Sequence, residues 1–142
     1  MSARDGSWPS HLPVTQVRIA RPTDRLEDVL AFYRDGLGLT EIWSFEGHAG
    51  YEGVMLGLPG VDYHLEFTRH ENGSPGATPS KDNLLVLYLP APGAVETVAA
   101  RLERSGHQRV EPENPYWKAN SITFEDPDGW RVVLVRGAGF AG

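Results

Sequence analysis

The stretch "YHLEFTRH" (63–70) alternates so that His64, Glu66 and Thr68 share one side of a β-strand and Tyr63, Leu65 and Phe67 the other. A carboxylate centred in an otherwise apolar strand costs free energy unless something compensates it. Three kinds of chemistry would do so. Glu66 could bind a divalent ion, with His64 adding an imidazole nitrogen. It could act as a general base if burial lifted its pKa from about 4.3 towards neutrality. Or it could pair with a buried cation, which pushes the pKa the other way and so opposes base catalysis.

A second set of candidates is aromatic. "WSFEGHAGYEGVM" (43–55) and "NPYWKAN" (114–120) place Trp43, Phe45, His48, Tyr51, Tyr116 and Trp117 in or beside expected turns. Large rings in such segments offer rigid stacking area to a planar ligand, or else plug sheet ends and line a dimer contact. His48, between Gly47 and Gly50, reads as a turn or rim residue, and His70 as solvated. No nucleophile elbow, P-loop, dinucleotide glycine fingerprint or HExxH helix is present. The acidic "EDPDG" (125–129) lacks the alternating oxygen ligands of a Ca²⁺ loop and reads as a hairpin turn.

The elements that must position these residues fit one domain of 142 residues. At this length roughly 68% of the unfolded surface can be buried without disulfide or metal staples. There is no cysteine, which removes thiol catalysis and thiolate metal sites and fits a reducing cytoplasm. Thirteen basic against 19 acidic residues give a net charge of −6, the wrong sign for binding a phosphate backbone. No apolar run approaches the ~20 residues of a membrane span. Residues 1–13 read as a flexible arm lacking a signal core, and 137–142 as a short tail.

Between them the chain repeats itself. A strand over 14–20 leads through Pro22, Thr23 and Asp24, with Thr23 or Asp24 as N-cap, into a helix whose Leu26, Val29, Leu30 and Tyr33 form one apolar stripe. Strands follow near 39–46, 51–58 and 62–69. From 26 to 95 is 69 residues, and there Val95, Val98, Ala99 and Leu102 repeat the stripe. A strand over 83–90 precedes it, Pro92 suits a first helical turn, Gly106 stops the helix, and strands are expected near 107–111, 119–125 and 130–136. Pro59 and Pro127 repeat at 127 − 59 = 68. The reading is α+β: a βαβββ module over 14–70, a Gly/Pro/Ser-rich linker over 71–82 and a second module over 83–136.

"LEDVLAFYRDGLGL" after the first strand and "ITFEDPDGWRVVL" near the end resemble the vicinal oxygen chelate superfamily of glyoxalases, extradiol dioxygenases, and fosfomycin- and bleomycin-resistance proteins. The resemblance implies a curved mixed sheet around a cleft, with dimers common and the cleft often shared between subunits. It also implies four metal-ligand positions, on the first and last strand of each module. They fall here on Gln16, Glu66, Leu84 and Val133. Two are aliphatic, too few donors remain for tight Zn²⁺ or Ni²⁺ binding, and no metal or other cofactor is expected. A lower-coordinate site from Gln16, His64 and Glu66 stays open. The first and fourth strands are adjacent in the family fold, so the resemblance also offers Arg18 as the partner of Glu66.

Inward positions then read Gln16, Arg18, His64, Glu66 and Thr68 on a polar wall, and Leu84, Val86, Tyr88, Arg131, Val133 and Val135 on a mostly apolar one. Such a cleft suits an amphipathic organic molecule. The expected function is a metal-free, homodimeric, cytoplasmic protein that sequesters an aromatic metabolite or antibiotic, with no nucleic-acid or membrane partner. Its ligand would meet Gln16, Arg18, Trp43, His48, Tyr51, His64, Glu66, Tyr88, Tyr116, Trp117 and Arg131. The alternative is a glyoxalase-like isomerase, lyase or dioxygenase that uses an atypical metal set, or that moves protons through His64, Glu66 or Tyr88.

Overall fold

The computed structural model describes residues 8–140; residues 1–7 of the expected arm and 141–142 of the expected tail lie outside the described residues. The first half contains β1 (Val17–Pro22), α1 (Leu26–Leu30) running into a π-helical turn at Ala31–Gly36, then β2 (Thr40–His48), β3 (Tyr51–Gly57) and β4 (Tyr63–His70). The second contains β5 (Leu84–Leu89), α2 (Ala94–Arg104), a two-residue β6 (Arg109–Val110), a 3₁₀ turn at Pro115–Lys118, β7 (Ser121–Glu125) and β8 (Arg131–Arg136). Each half forms a four-stranded mixed sheet, ordered β1-β4-β3-β2 and β5-β8-β7-β6. In both, the first strand lies parallel to the last and the remaining pairs are antiparallel. Two βαβββ units of one topology make an α+β fold. No helix among the described residues is long and apolar enough to cross a membrane.

Several local details depart from the sequence reading. The first strand starts at Val17 rather than residue 14, because its partner β4 starts at Tyr63 and the ladder opens with Val17 N–H donating to the Asp62 carbonyl at 3.0 Å. Gln16 therefore precedes the ladder. Neither Thr23 nor Asp24 is the N-cap; Arg25 holds that position without a side-chain cap. Thr23 Oγ1 instead accepts the Arg25 amide at 2.9 Å, and the Asp24 carboxylate accepts the Ser74 amide, tying the inter-module linker to the first helix. Pro92 lies outside α2, whose N-cap is Gly93 with φ +77°.

The two stripes do what amphipathic stripes do. Leu26, Val29, Leu30 and Tyr33 meet Val95, Ala99 and Leu102 in one buried core, together with Val54, Leu56, Leu65, Phe67, Phe124, Val132 and Leu134 from the helix-facing sides of the sheets. The modules also share a polar knot. Asp126, in the β7–β8 turn, accepts from Arg21 of β1 at 2.8 Å and from the Tyr33 hydroxyl at 2.7 Å through one oxygen. Its other oxygen takes the amides of Asp128 and Trp130 at 2.8 and 3.0 Å. The Arg21 guanidinium lies 4.7 Å from the Trp130 ring and 5.0 Å from that of Phe67. Burial, and then the Asp126 charge, push the Tyr33 phenol well above its ordinary pKa, so it stays a donor.

Removing Asp126 leaves a largely buried guanidinium uncompensated. Asp126→Ala is expected to cost about 3–5 kcal/mol in chemical denaturation, and Tyr33→Phe only about 1 kcal/mol. Equal losses would contradict the assignment of Asp126 as the hub. The β2–β3 hairpin gives a second prediction. Its two-residue turn has Ala49 at φ +53° and Gly50 at φ +84°, a type I′ geometry that asparagine followed by glycine suits best. Ala49→Asn should raise unfolding free energy by roughly 0.5–1 kcal/mol; a drop in the denaturation midpoint would contradict this geometry.

Candidate functional site

Three cross-strand rows define the face of the first sheet that points away from the core. One runs Arg18, His64, Gly57; the next Ala20, Glu66, Met55, Trp43; the third Pro22, Thr68, Gly53, Phe45. Their neighbours Leu65, Phe67, Val54 and Leu56 face the core instead. A bulge between Glu41 and Trp43 inserts Ile42, and Ile42 joins Trp43 on the outer face. Two strand glycines give these side chains room. A Cβ on Gly57 would lie 2.5 Å from Ile42 Cδ1, and one on Gly53 2.6 Å from the Phe45 ring. Both side chains of β2 can therefore lie down across β3. The result is an apolar floor of Ile42, Met55 and Phe45, with Trp43 standing at its edge 63% exposed.

The polar end of this face is organised by one cation. Arg18 Nε donates to His64 Nε2 at 2.8 Å, while its Nη1 lies 3.7 Å from the Glu66 carboxylate. The second distance is an ion pair but too long for a hydrogen bond. Among the described residues no donor reaches Glu66 directly, although its side chain is only 12% exposed against 47% for Arg18. A guanidinium can only donate, so the Nε2 lone pair is occupied and a neutral His64 ring carries its proton on Nδ1. That Nδ1 is buried with no partner, and His64 as a whole is 5% exposed.

Metal chelation does not fit these residues. Leu84 opens β5 and Val133 sits in the middle of β8, both on the face opposite the core-packed Leu85, Leu87, Val132 and Leu134. Neither has a lone pair, and Val133 is fully buried. His64 has committed its only free nitrogen lone pair to Arg18. No cluster of three or more His, Cys, Asp or Glu able to hold an ion occurs among the described residues. A carboxylate alone is a poor divalent site.

The remaining expected residues scatter. Trp43 and Phe45 lie in β2 and Tyr51 opens β3, as the expected strands have them, whereas His48, read as a turn or rim residue, is the last residue of β2. His48 meets Phe45 edge-on at 6.4 Å, and Tyr51 packs on His70 at 4.5 Å. His70 is therefore packed rather than solvated; its Nδ1 accepts the Asn72 amide at 3.0 Å. Tyr116 and Trp117 stack edge to face at 4.9 Å in the 3₁₀ turn beside β7. Tyr88 is exposed on β5 next to Gly139. The Arg131 guanidinium is consumed internally by Glu125 at 3.0 Å and the Glu111 carbonyl at 2.8 Å. No hydrogen bond, ion pair or ring contact among the described residues links Arg18, His64 or Glu66 to Tyr88 or Arg131. An apolar cavity of about 400 Å³ opens between β1 and β5, lined by Ile19, Ala20, Phe67, Leu84, Trp130 and Arg131, and so brings two of the expected site residues, Leu84 and Arg131, beside the first strand.

Comparison with known proteins places this geometry. Residues 17–68 match the YycE-like N-terminal domain and residues 82–136 the YycE-like C-terminal domain. The chain is 47% identical over 133 residues to the YycE protein of Bacillus subtilis, covering 94% of this chain and 96% of that protein. The chain belongs to the YycE-like family.

The crystal structure of the B. subtilis YycE protein superimposes with a TM-score of 0.87 at 47% identity, covering 94% of this chain and 97% of that one. The fold of this YycE-like chain also matches TnmS3, an antibiotic binding protein from Streptomyces sp. CB03234, with a TM-score of 0.64 at 22% identity over 90% of this chain and all of that one. The same fold occurs in a member of the glyoxalase/bleomycin resistance protein/dioxygenase superfamily from Sphaerobacter thermophilus, with a TM-score of 0.63 at 18% identity over 87% of this chain and 98% of that one. Sequence reasoning missed Ile42, Met55 and the two glycines of this outer face. The available signal was the spacing of Gly53, Met55 and Gly57 at two-residue intervals on one strand face.

The Arg18–His64 bond has a direct spectroscopic consequence. Long-range ¹H–¹⁵N spectra of the neutral His64 ring should show Nδ1 protonated and Nε2 bare. Arg18→Met should release the ring to a mixture dominated by the Nε2–H tautomer. An Nε2–H ring in the parent protein would contradict the geometry.

Proposed function

We propose that this YycE-like protein is a metal-free binding protein for a small amphipathic or aromatic molecule, a metabolite or an antibiotic, held on the outer face of the first sheet. One observation carries the reading: the acid at a chelating position is balanced by Arg18, while two other chelating positions are Leu84 and Val133. A half-polar, half-aromatic face with a few fixed polar groups is the surface such ligands use. The antibiotic branch draws support from TnmS3, whose fold matches at low identity. An isomerase, lyase or dioxygenase mechanism built on a chelated ion would have to work from Glu66 and the amide of Gln16, since His64 gives its free lone pair to Arg18, and this disfavours it.

We extend the proposal to a cytoplasmic homodimer in which a second copy brings its Leu84–Tyr88 strand over the Glu66 face. The observation behind it is that Ile42, Trp43 and Tyr88 stay exposed on the outer faces of the two sheets. Screening the protein against a broad panel of aromatic natural products by calorimetry should yield ligands of micromolar Kd or tighter. Trp43→Ala should weaken them about tenfold, by loss of ring contact. An empty panel contradicts the proposal, and binding indifferent to Trp43 moves the ligand to the cavity between β1 and β5. Sedimentation should give a mass of two chains; a monomer at high concentration would remove the shared cleft.

A further inference from the structure

The same face carries a statement about ligand chemistry, which rests on the binding reading above. Glu66 is a nearly buried acid with an ion-pair partner at 3.7 Å and no hydrogen-bond donor among the described residues. A carboxylate has room for about four such bonds, and its oxygens are not among the sealed, unpartnered polar atoms, so a donor on a ligand can reach them. Arg18 stops short of a hydrogen bond, and the neighbours beside Glu66 do not supply one. His64 points no proton at it, because Nε2 is occupied and Nδ1 is sealed from solvent. Met55 and Ala20, its row neighbours on β3 and β1, have no polar side-chain hydrogen.

In the same row, two strands away, stands Trp43. Adjacent strands lie about 4.8 Å apart, so Trp43 and Glu66 are separated by roughly 10 Å across the Met55 floor. That span is the long dimension of a two-ring aromatic system with one short substituent. Phe45 and Ile42 lie flat because Gly53 and Gly57 carry no side chain, which keeps the floor level enough for a planar ring.

We infer that the ligand is a planar aromatic compound bearing a hydrogen-bond donor, a hydroxyl or an amine, which rests its ring against Trp43 and Met55 and donates to the Glu66 carboxylate. Acceptor-only and anionic compounds of the same shape are excluded, since they would set a lone pair or a negative charge against the acid. Glu66 is thus the specificity-determining residue of the face, and Trp43 supplies affinity without selecting polarity.

A matched probe series tests this on the intact protein: 2-(aminomethyl)naphthalene, 2-naphthalenemethanol, its methyl ether and 2-naphthoate, by calorimetry or ligand-observed NMR. The amine and the alcohol should bind about 10–100-fold more tightly than the ether, with the naphthoate weakest. Glu66→Gln should erase most of that gap. Glu66→Asp, which keeps the charge but shortens the reach, should keep the order with weaker binding. Trp43→Ala should weaken all four by a common factor. The parent ranking alone can overturn the inference, so it survives a variant that fails to fold. Tighter binding of the ether or the naphthoate contradicts it, as does a gap unchanged in Glu66→Gln. If no probe binds while the natural-product panel gives a ligand, the donor requirement is wrong and the binding reading stands. If neither binds, both fall.

Discussion

Asp126 has no side-chain surface in water, and four donors converge on it from three parts of the chain. Two of them, Arg21 and Tyr33, sit 105 and 93 residues away, on the first strand and the first helix. A buried carboxylate tolerates displacement poorly, because each lost donor leaves charge in a medium that solvates it badly. The knot therefore fixes how the second module's hairpin turn meets the first module's strand. With that contact set, the two apolar helix stripes close into one core, and the other face of each sheet is left to do something else. The proposed binding face is left over because the helix faces are spent on each other.

On that remaining face the decisive matter is how a negative charge is kept. Relatives of this fold that use chelated ions need lone pairs at four places, and this chain has aliphatic side chains at two of them. Arg18 takes over by reaching two strand positions at once, donating to His64 and balancing Glu66. The arrangement costs the site a metal ligand, since the same bond ties up the histidine lone pair. It also leaves the acid with one cation beside it and no hydrogen-bond donor among the described residues, which is the basis of the binding proposal. Arg18 is half-exposed, so the pair holds charge in place more than it stabilises the fold.

How much of this could be read from residues alone depended on the range of the interaction. The period-two pattern of residues 63–70 put His64, Glu66 and Thr68 on one face because side-chain alternation in a strand is local geometry. The stripes at 26–33 and 95–102, and the repeated Pro-containing turns, exposed the duplicated topology for the same reason. The Arg18–Glu66 contact needed the family's strand order and is looser than a fork-shaped pair would be. What stayed hidden was set by partners far along the chain. The "EDPDG" turn looked like an ordinary hairpin, and nothing local says that Asp126 anchors Arg21 and Tyr33. Tyr33 did carry a hint, as a hydroxyl in an apolar stripe that had to find a partner. The bulge at Ile42 shifts the register of β2 by one residue, which no local pattern announces. Gly53 and Gly57 make space for Phe45 and Ile42 of the neighbouring strand, a role that depends on a pairing the residues alone do not give.

The claim that a guanidinium replaced an ion at this site is tested most directly by metal content. Protein produced in medium rich in Zn²⁺, Ni²⁺, Mn²⁺ and Fe²⁺, passed through gel filtration and assayed by mass spectrometry for bound metal, should carry far less than one ion per chain, with Glu66→Gln indistinguishable from the parent. One ion per chain in the parent and none in Glu66→Gln would contradict the account at its centre.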